Sequence, residues 1–177
     1  MDAIETPRLS LVAVSNEVLR ADLDGSPRFA AMLSAEVPAD WPPDPNYDAD
    51  AIRYVIAMQA RDPAAREWGF RYFVLKGSPP CLAGAGGYAA PAANGEIEIG
   101  YAIMPALRRL GLACEAAKAL TARAFARLDV ERVVAHTLPE LAASIGVLEK
   151  CGFHLEGPGA ESGTVRYVIR RAQLRAR

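Results

Sequence analysis

The chain has 177 residues, 51% of them hydrophobic and 23% charged, which suits one ordinary soluble domain with a sizeable core. Its 20 basic and 21 acidic residues leave a net charge of -1, so there is no bulk electrostatic drive toward nucleic acid or an anionic membrane. Three cysteines (Cys81, Cys114, Cys151) stand far apart, with no CxxC and no nearby histidine; this argues against a disulfide framework or a metal site and predicts buried, inert thiols in a reducing compartment.

The N-terminal MDAIETPRLSLVAV places acidic residues before an apolar run too brief for a signal peptide or a membrane span, so a cytoplasmic protein is expected. Within it, RLSLVAV (8–14) alternates and predicts a first strand, and helices follow near 16–23 and 26–36. VPADWPPDPNYD (37–48) packs four prolines into twelve residues, which excludes a helix or a central strand. A loop of this length, displaying Trp41 and Tyr47, is a candidate binding surface.

A helix resumes over 48–60, with Ile52, Val55, Ile56 and Gln59 at helical spacing, and RDP (61–63) stops it. WGFRYFVLK (68–76) and CLAGAGGYAA (81–90) read as strands joined by GSPP. ANG (93–95) then turns into EIEIGYAI (96–103), whose Glu/Ile alternation marks one wet and one buried face. Beyond RRLGLACEA (108–116) come a helix over 112–128, a strand RVVAHTL (132–138) and a helix over 141–151. Two last strands, 153–157 and 164–170, flank the glycine-rich EGPGAESG. A meander followed by strand–helix–strand–helix–strand predicts a single α+β domain over 1–177, with a mixed, mostly antiparallel sheet of six to seven strands and helices on both faces.

RRLGLACEA poses the main chemical question. A strand that runs through a glycine-containing loop into a helix start makes an anion site from unpaired backbone N–H groups. Arg108 and Arg109 suit phosphate oxygens, Gly111 lets the backbone turn closely, and Ala113 keeps the first helical turn thin. A solvated basic turn explains the same residues equally well. The Walker pattern is absent, and GAGG (84–87) lacks the helix start of a dinucleotide fingerprint, so close strand packing is its expected role.

The segments also resemble a known family. Arg108 through Ala113 fits the R/Q-x-x-G-x-G/A motif of the GNAT N-acetyltransferase superfamily, and the Glu115–Ala116 pair that follows matches it too. IEIGYAIMP (97–105) resembles the strand before that motif, and SIGVLEKCGFHLEG (144–157) resembles the family's SIRVLEKLGFxxEG segment. With TPRLSL near the start, the pattern is most similar to the RimJ/RimL-like, ribosomal-protein-alanine acetyltransferase branch.

The resemblance implies acetyl-CoA as co-substrate, an amine acceptor (a small molecule or a protein N-terminus), and a V-shaped splay between two parallel strands near 97–103 and 132–138. It implies that the backbone of Ile103 and Met104 pairs with pantetheine, and that the pyrophosphate lies on Arg109, Leu110, Gly111, Leu112 and Ala113 with Arg108 assisting. Glu98 matches the position of the family's acidic residue and is the candidate base or water-holder; Glu96 is read as decoration of the wet face. Ser144 matches a serine assigned to thiolate protonation and to the cofactor.

Two positions depart from the pattern. Leu148 stands where many members have a tyrosine, and Leu141 where many have an asparagine. Trp41 and Tyr101 are candidate acceptor-binding residues, and loop 37–48 and segment 157–163 the candidate acceptor side. His136 and His154 are expected to be structural. The reading is therefore an N-acetyltransferase working by direct transfer in a ternary complex. A catalytically silent acyl-CoA-binding sensor is the alternative, and a homodimer is left open.

Overall fold

A computed structural model of the chain describes residues 2–42, 47, 49–62, 66, 68–89 and 93–174. Positions 43–46 and 48 of the proline-rich segment lie outside the described residues, as do 63 and 90 at the ends of two expected elements. The elements are β1 (Ala3–Glu5), β2 (Leu9–Ala13), α1 (Asn16–Leu23), α2 (Arg28–Leu33), α3 (Ala49–Arg61), β3 (Phe70–Leu75), β4 (Cys81–Tyr88), β5 (Glu96–Ile103), α4 (Leu112–Ala126), β6 (Arg132–Thr137), α5 (Ala142–Lys150), β7 (His154–Pro158), β8 (Val165–Arg170) and α6 (Arg171–Leu174).

Among the described residues eight strands form one sheet, in the order β1-β2-β3-β4-β5-β6-β8-β7. Every neighbouring pair is antiparallel except β5–β6, which is parallel. The α+β architecture agrees with the sequence reading; the count of six to seven strands is corrected to eight. The additional strand is β1, whose Ala3–Glu5 pair with Ser10–Val12. Three residues are too few to show a period, which is why patterning missed it.

The two faces of the sheet bury different clusters. On one face α4 places Leu112, Ala116, Ala117, Leu120, Ala124 and Phe125 against Phe73, Ile97, Ile99, Val133 and Ile169. Its alanines let the helix lie close to the strands, and burying Leu120 alone contributes roughly 1.5–3 kcal/mol. On the other face α1, α2 and α3 pack Leu19, Phe29, Leu33 and Ile52 on Tyr72, Val74 and Leu82. Close strand packing explains GAGG: a Cβ on Gly84 or on Gly86 would stand 2.2 Å from a carbonyl oxygen of β5.

The feature that positions the site is an interrupted ladder. β5 and β6 pair only at Glu96↔Arg132, Ile97↔Val133 and Glu98↔Val134. Beyond that point β5 stays with β4 as far as Ile103, while β6 stays with β8 as far as Thr137. Each strand keeps its ladder on the outer side, so the two diverge without losing their place in the sheet.

Candidate active site

The pairing pattern decides which β5 backbone groups face the splay. Met104 donates its N–H to the Ala83 carbonyl at 2.9 Å, and its own carbonyl accepts from the Leu107 N–H at 2.9 Å. Met104 is thus committed to β4 and to the following turn, which corrects the expectation that its backbone lines the cleft. In an antiparallel ladder alternate residues turn their N–H and C=O outward, so Tyr101 and Ile103 present theirs toward the splay. The Ile103 carbonyl also accepts from Arg108 Nε at 3.1 Å, tying the strand end to the loop. The outward turn of Tyr101's backbone groups is not legible in the sequence, because only the register reveals it.

The loop that follows makes two left-handed turns, at Arg109 (φ 65°) and Gly111 (φ 80°), and opens directly into α4. Gly111 is the N-cap and no described side chain caps it, so the first amides of α4, at Leu112 and Ala113, have no intrahelical acceptor. The loop is held from behind. Arg8 donates Nη1 to the Leu110 carbonyl at 2.8 Å and Nε to Glu115 at 2.7 Å, while Thr6 Oγ1 donates to Glu115 at 2.6 Å. Burial alone would raise the Glu115 pKa, but these donors outweigh it and hold it below the usual carboxylate value. The Arg8–Glu115 strut was also missed, although both residues lie in the segments that carry the family resemblance.

On the opposite face of β5 stand two glutamates. Glu96 receives both Nη atoms of Arg166, at 2.9 and 2.6 Å, with Arg132 Nε 3.3 Å away. The Arg166 hydrogen bonds hold Glu96 below the usual range, and Arg166 continues to Glu156, which Arg170 also contacts. Glu98 is different. Its Oε1 lies 2.9 Å from His136 Nδ1, across the mouth of the splay, and 40% of its side chain remains exposed. Among the described residues His136 is its one side-chain partner, so the strand histidine expected to be structural lies in contact with the candidate base. His154 contacts Arg170 at 3.0 Å and Gln173 at 3.3 Å, a structural setting.

Strand alternation places Tyr101 on the α4 face, opposite to Glu98. Its hydroxyl is buried without an ordinary hydrogen bond among the described residues. Burial pushes its ionisation well above the usual tyrosine value, the Cys151 thiol adds to the rise, and nearby Ser144 in the first turn of α5 opposes it. Tyr101 therefore sits with Ser144 and not on the face of Glu98. Leu148 is buried in the core and Leu141 is exposed at the start of α5. Cys114 and Cys151, far apart in sequence, bring their sulfurs to 3.0 Å near Tyr101, and all three cysteines are half-buried, not fully buried.

Trp41 packs with the α1–α3 cluster. Its indole Nε1 donates to Asp22 at 2.9 Å, and its ring meets Tyr47 and Tyr72 edge-on at 5.0 and 5.9 Å. Tyr47 and Tyr72 donate to the same carboxylate at 2.7 and 2.5 Å. Tyr72 pairs with Ala85, and Ala85 with Ala102, so this aromatic anchor lies two strands from β5 on the face of Glu98. No cluster of metal-ligating side chains and no helix long and apolar enough to cross a membrane occurs among the described residues.

Together these parts make an edge for an extended polar chain, an amide-lined corner for an anion, and a carboxylate across the sheet from both. Comparison with known proteins points the same way. The family model described as acetyltransferase (GNAT) domain matches residues 17–154. YjdG of Bacillus subtilis strain 168, an uncharacterised N-acetyltransferase, is 30% identical over 170 residues, covering 96% of this chain and all of that protein. An acetyltransferase from Agrobacterium tumefaciens C58 superposes with a TM-score of 0.68 at 22% identity, over 97% of this chain and 95% of that one. RimL, a ribosomal L7/L12 α-N-protein acetyltransferase solved with coenzyme A, superposes with a TM-score of 0.65 at 20% identity, over 96% and 98% of the two chains.

Proposed function

The chain belongs to the GNAT acetyltransferase family, and from that premise we propose that it transfers the acetyl group of acetyl-CoA to a primary amine, directly and within a ternary complex. The observation that carries this reading is the end of the β5–β6 ladder at Glu98, which opens a cleft with a half-exposed carboxylate at its mouth. Bound there, acetyl-CoA supplies an activated acetyl thioester. The residues fit it: Tyr101 and Ile103 offer backbone groups along the splay, and the amides from Arg109 to Ala113 meet a pyrophosphate, with Arg108 assisting.

Glu98 takes up the proton that the acceptor nitrogen gives up, either directly or through a water that it holds. Ser144, beside the buried Tyr101 hydroxyl, keeps a hydroxyl proton available to the departing sulfur. The anchored Trp41 shapes the acceptor side and so acts on it from a distance. The acceptor is a small-molecule amine or a protein N-terminus.

One observation favours a second reading, in which the domain binds acyl-CoA without turning it over. Leu148, where related proteins carry a tyrosine, is fully packed in the core and offers no hydroxyl. Thiol release measured over a panel of amines separates the two. A transferase releases CoA with at least one class of amine, whereas a sensor binds acetyl-CoA in calorimetry and releases none.

A further inference from the structure

We propose that His136 is a positioning residue for Glu98, holding its carboxylate across the splay so that one oxygen stays turned to the acceptor. The inference rests on the reading of Glu98 as the base. Glu98 is the last residue of β5 paired to β6, opposite Val134, and His136 lies two residues further along β6 on the same face. The 2.9 Å contact between His136 Nδ1 and Glu98 Oε1 therefore spans the two strands where backbone pairing has ceased.

The chemistry of the pair follows from its atoms. A carboxylate only accepts, so Nδ1 carries the proton of this bond, and in the neutral ring Nε2 is bare. Nε2 is buried without a hydrogen-bond partner among the described residues. It lies under the β7–β8 turn, where a Cβ on Gly159 would stand 3.1 Å from His136 Cδ2. Both edges of the ring are thus fixed, one by Glu98 and one by packing. The cross-strand neighbour of His136 on β8 is Arg166, whose guanidinium is held by Glu96 and Glu156.

With Oε1 held, Oε2 is the oxygen that meets the acceptor nitrogen. In the transfer step the proton leaves the nitrogen for Glu98 and His136 keeps its own, so the ring orients and does not relay. Exposure agrees with this division: 40% of the Glu98 side chain is accessible against 15% for His136. Asparagine offers a side-chain N–H near the place of Nδ1, whereas phenylalanine keeps the ring shape and removes the donor.

Nitrogen-15 spectra of the imidazoles test the pair in the free protein, and the chain's 2 histidines make assignment simple. We expect Nδ1 of His136 to be protonated, with that preference lost in Glu98→Ala; a proton on Nε2 alone in the native protein overturns the proposal. In turnover assays His136→Phe should lower kcat about tenfold, and His136→Asn should restore it to within about threefold, with the KM for acetyl-CoA nearly unchanged. Equal losses in both variants, or none in either, overturn the positioning role while Glu98→Gln still reports on the base. If Glu98→Gln turns over at the native rate, the reading of Glu98 fails, and this inference with it.

Discussion

Glu96 and Glu98 stand on the same face of the same strand, two residues apart, at the closed and open ends of one cleft. At the closed end Glu96 is gripped by Arg166 and flanked by Arg132, in a chain of charges that runs on to Glu156 and Arg170. At the open end Glu98 meets, among the described residues, the side chain of one histidine and remains accessible. The residue type is identical, so the difference lies in what the neighbouring strand contributes. A carboxylate saturated by guanidinium donors is a poor proton acceptor and a good clasp. One with a free, exposed oxygen at a strand divergence can serve as a base.

The strongest way to break this contrast is to neutralise each glutamate in turn. Glu98→Gln should lower kcat by roughly 100-fold or more, as expected for loss of a general base. Glu96→Gln should leave kcat within about threefold and lower the melting temperature instead. Equal kinetic losses in both variants, measured by thiol release, would remove the division of labour between the two ends.

A second test sharpens the contrast by moving to the cofactor corner. Gly111 adopts φ 80°, a conformation that strains any side chain, and its Cβ would point toward the Arg8 guanidinium 3.5 Å away. Gly111→Ala costs about 1 kcal/mol of backbone strain and disturbs the amides that follow. Under the proposed roles, in which this corner binds and the cleft mouth reacts, the KM for acetyl-CoA should rise about tenfold while kcat changes little. A fall in kcat at unchanged KM would mean that the corner sets the reacting geometry as well.

How much of this was legible beforehand depends on how local each signal is. The Glu/Ile alternation of β5 revealed the strand, its faces and both glutamates, because a strand's period is written in adjacent residues. The arginine loop and its helix start were legible for the same reason. The Glu98–His136 contact was not, since it joins positions 38 apart through the register of a parallel pair. The side of the sheet that Tyr101 takes is legible in the same way, since its odd number, set against Glu98, implies the opposite face. That the Met104 N–H is engaged is not legible in the sequence, because only the β4 ladder shows it. The Cys114–Cys151 approach arises from the packing of α4 on α5, for which no pattern within either helix gives a hint.

The closed end makes its own prediction about stability. Arg166→Leu removes charged hydrogen bonds from Glu96 and Glu156 and should cost about 2 kcal/mol, or roughly 4–8 °C in melting temperature. The loss should depend on pH. Both carboxylates titrate below their ordinary value of 4.5 in the folded chain, with the Arg166 hydrogen bond the leading cause for each. The unfolded chain therefore takes up protons first as pH falls, and the stabilisation present above pH 4.5 drains away below it. Denaturation curves of the native and Arg166→Leu proteins should converge as pH drops from 5 toward 3; a gap that persists through that range would mean that the arginine acts by packing alone.

The smallest effect concerns the thiols, where like groups again differ by surroundings. Burial pushes the Cys151 thiol up to about 12, and contact with Cys114 adds to the rise. At pH 8 Cys151 is therefore almost wholly protonated and should react with iodoacetamide much more slowly than an exposed, free cysteine. The same shift links folding to alkaline pH. An unfolded Cys151 ionises near its ordinary value of 9.0 while the folded one does not, so stability falls as pH climbs from there toward 12. Cys151→Ser should flatten the start of that decline, below the ordinary tyrosine value of 10.0, where the buried tyrosines Tyr88 and Tyr101, whose ionisation burial raises, begin to contribute. Fast alkylation of Cys151 at pH 8, read by peptide mass, would instead place its sulfur in solvent and separate it from Cys114.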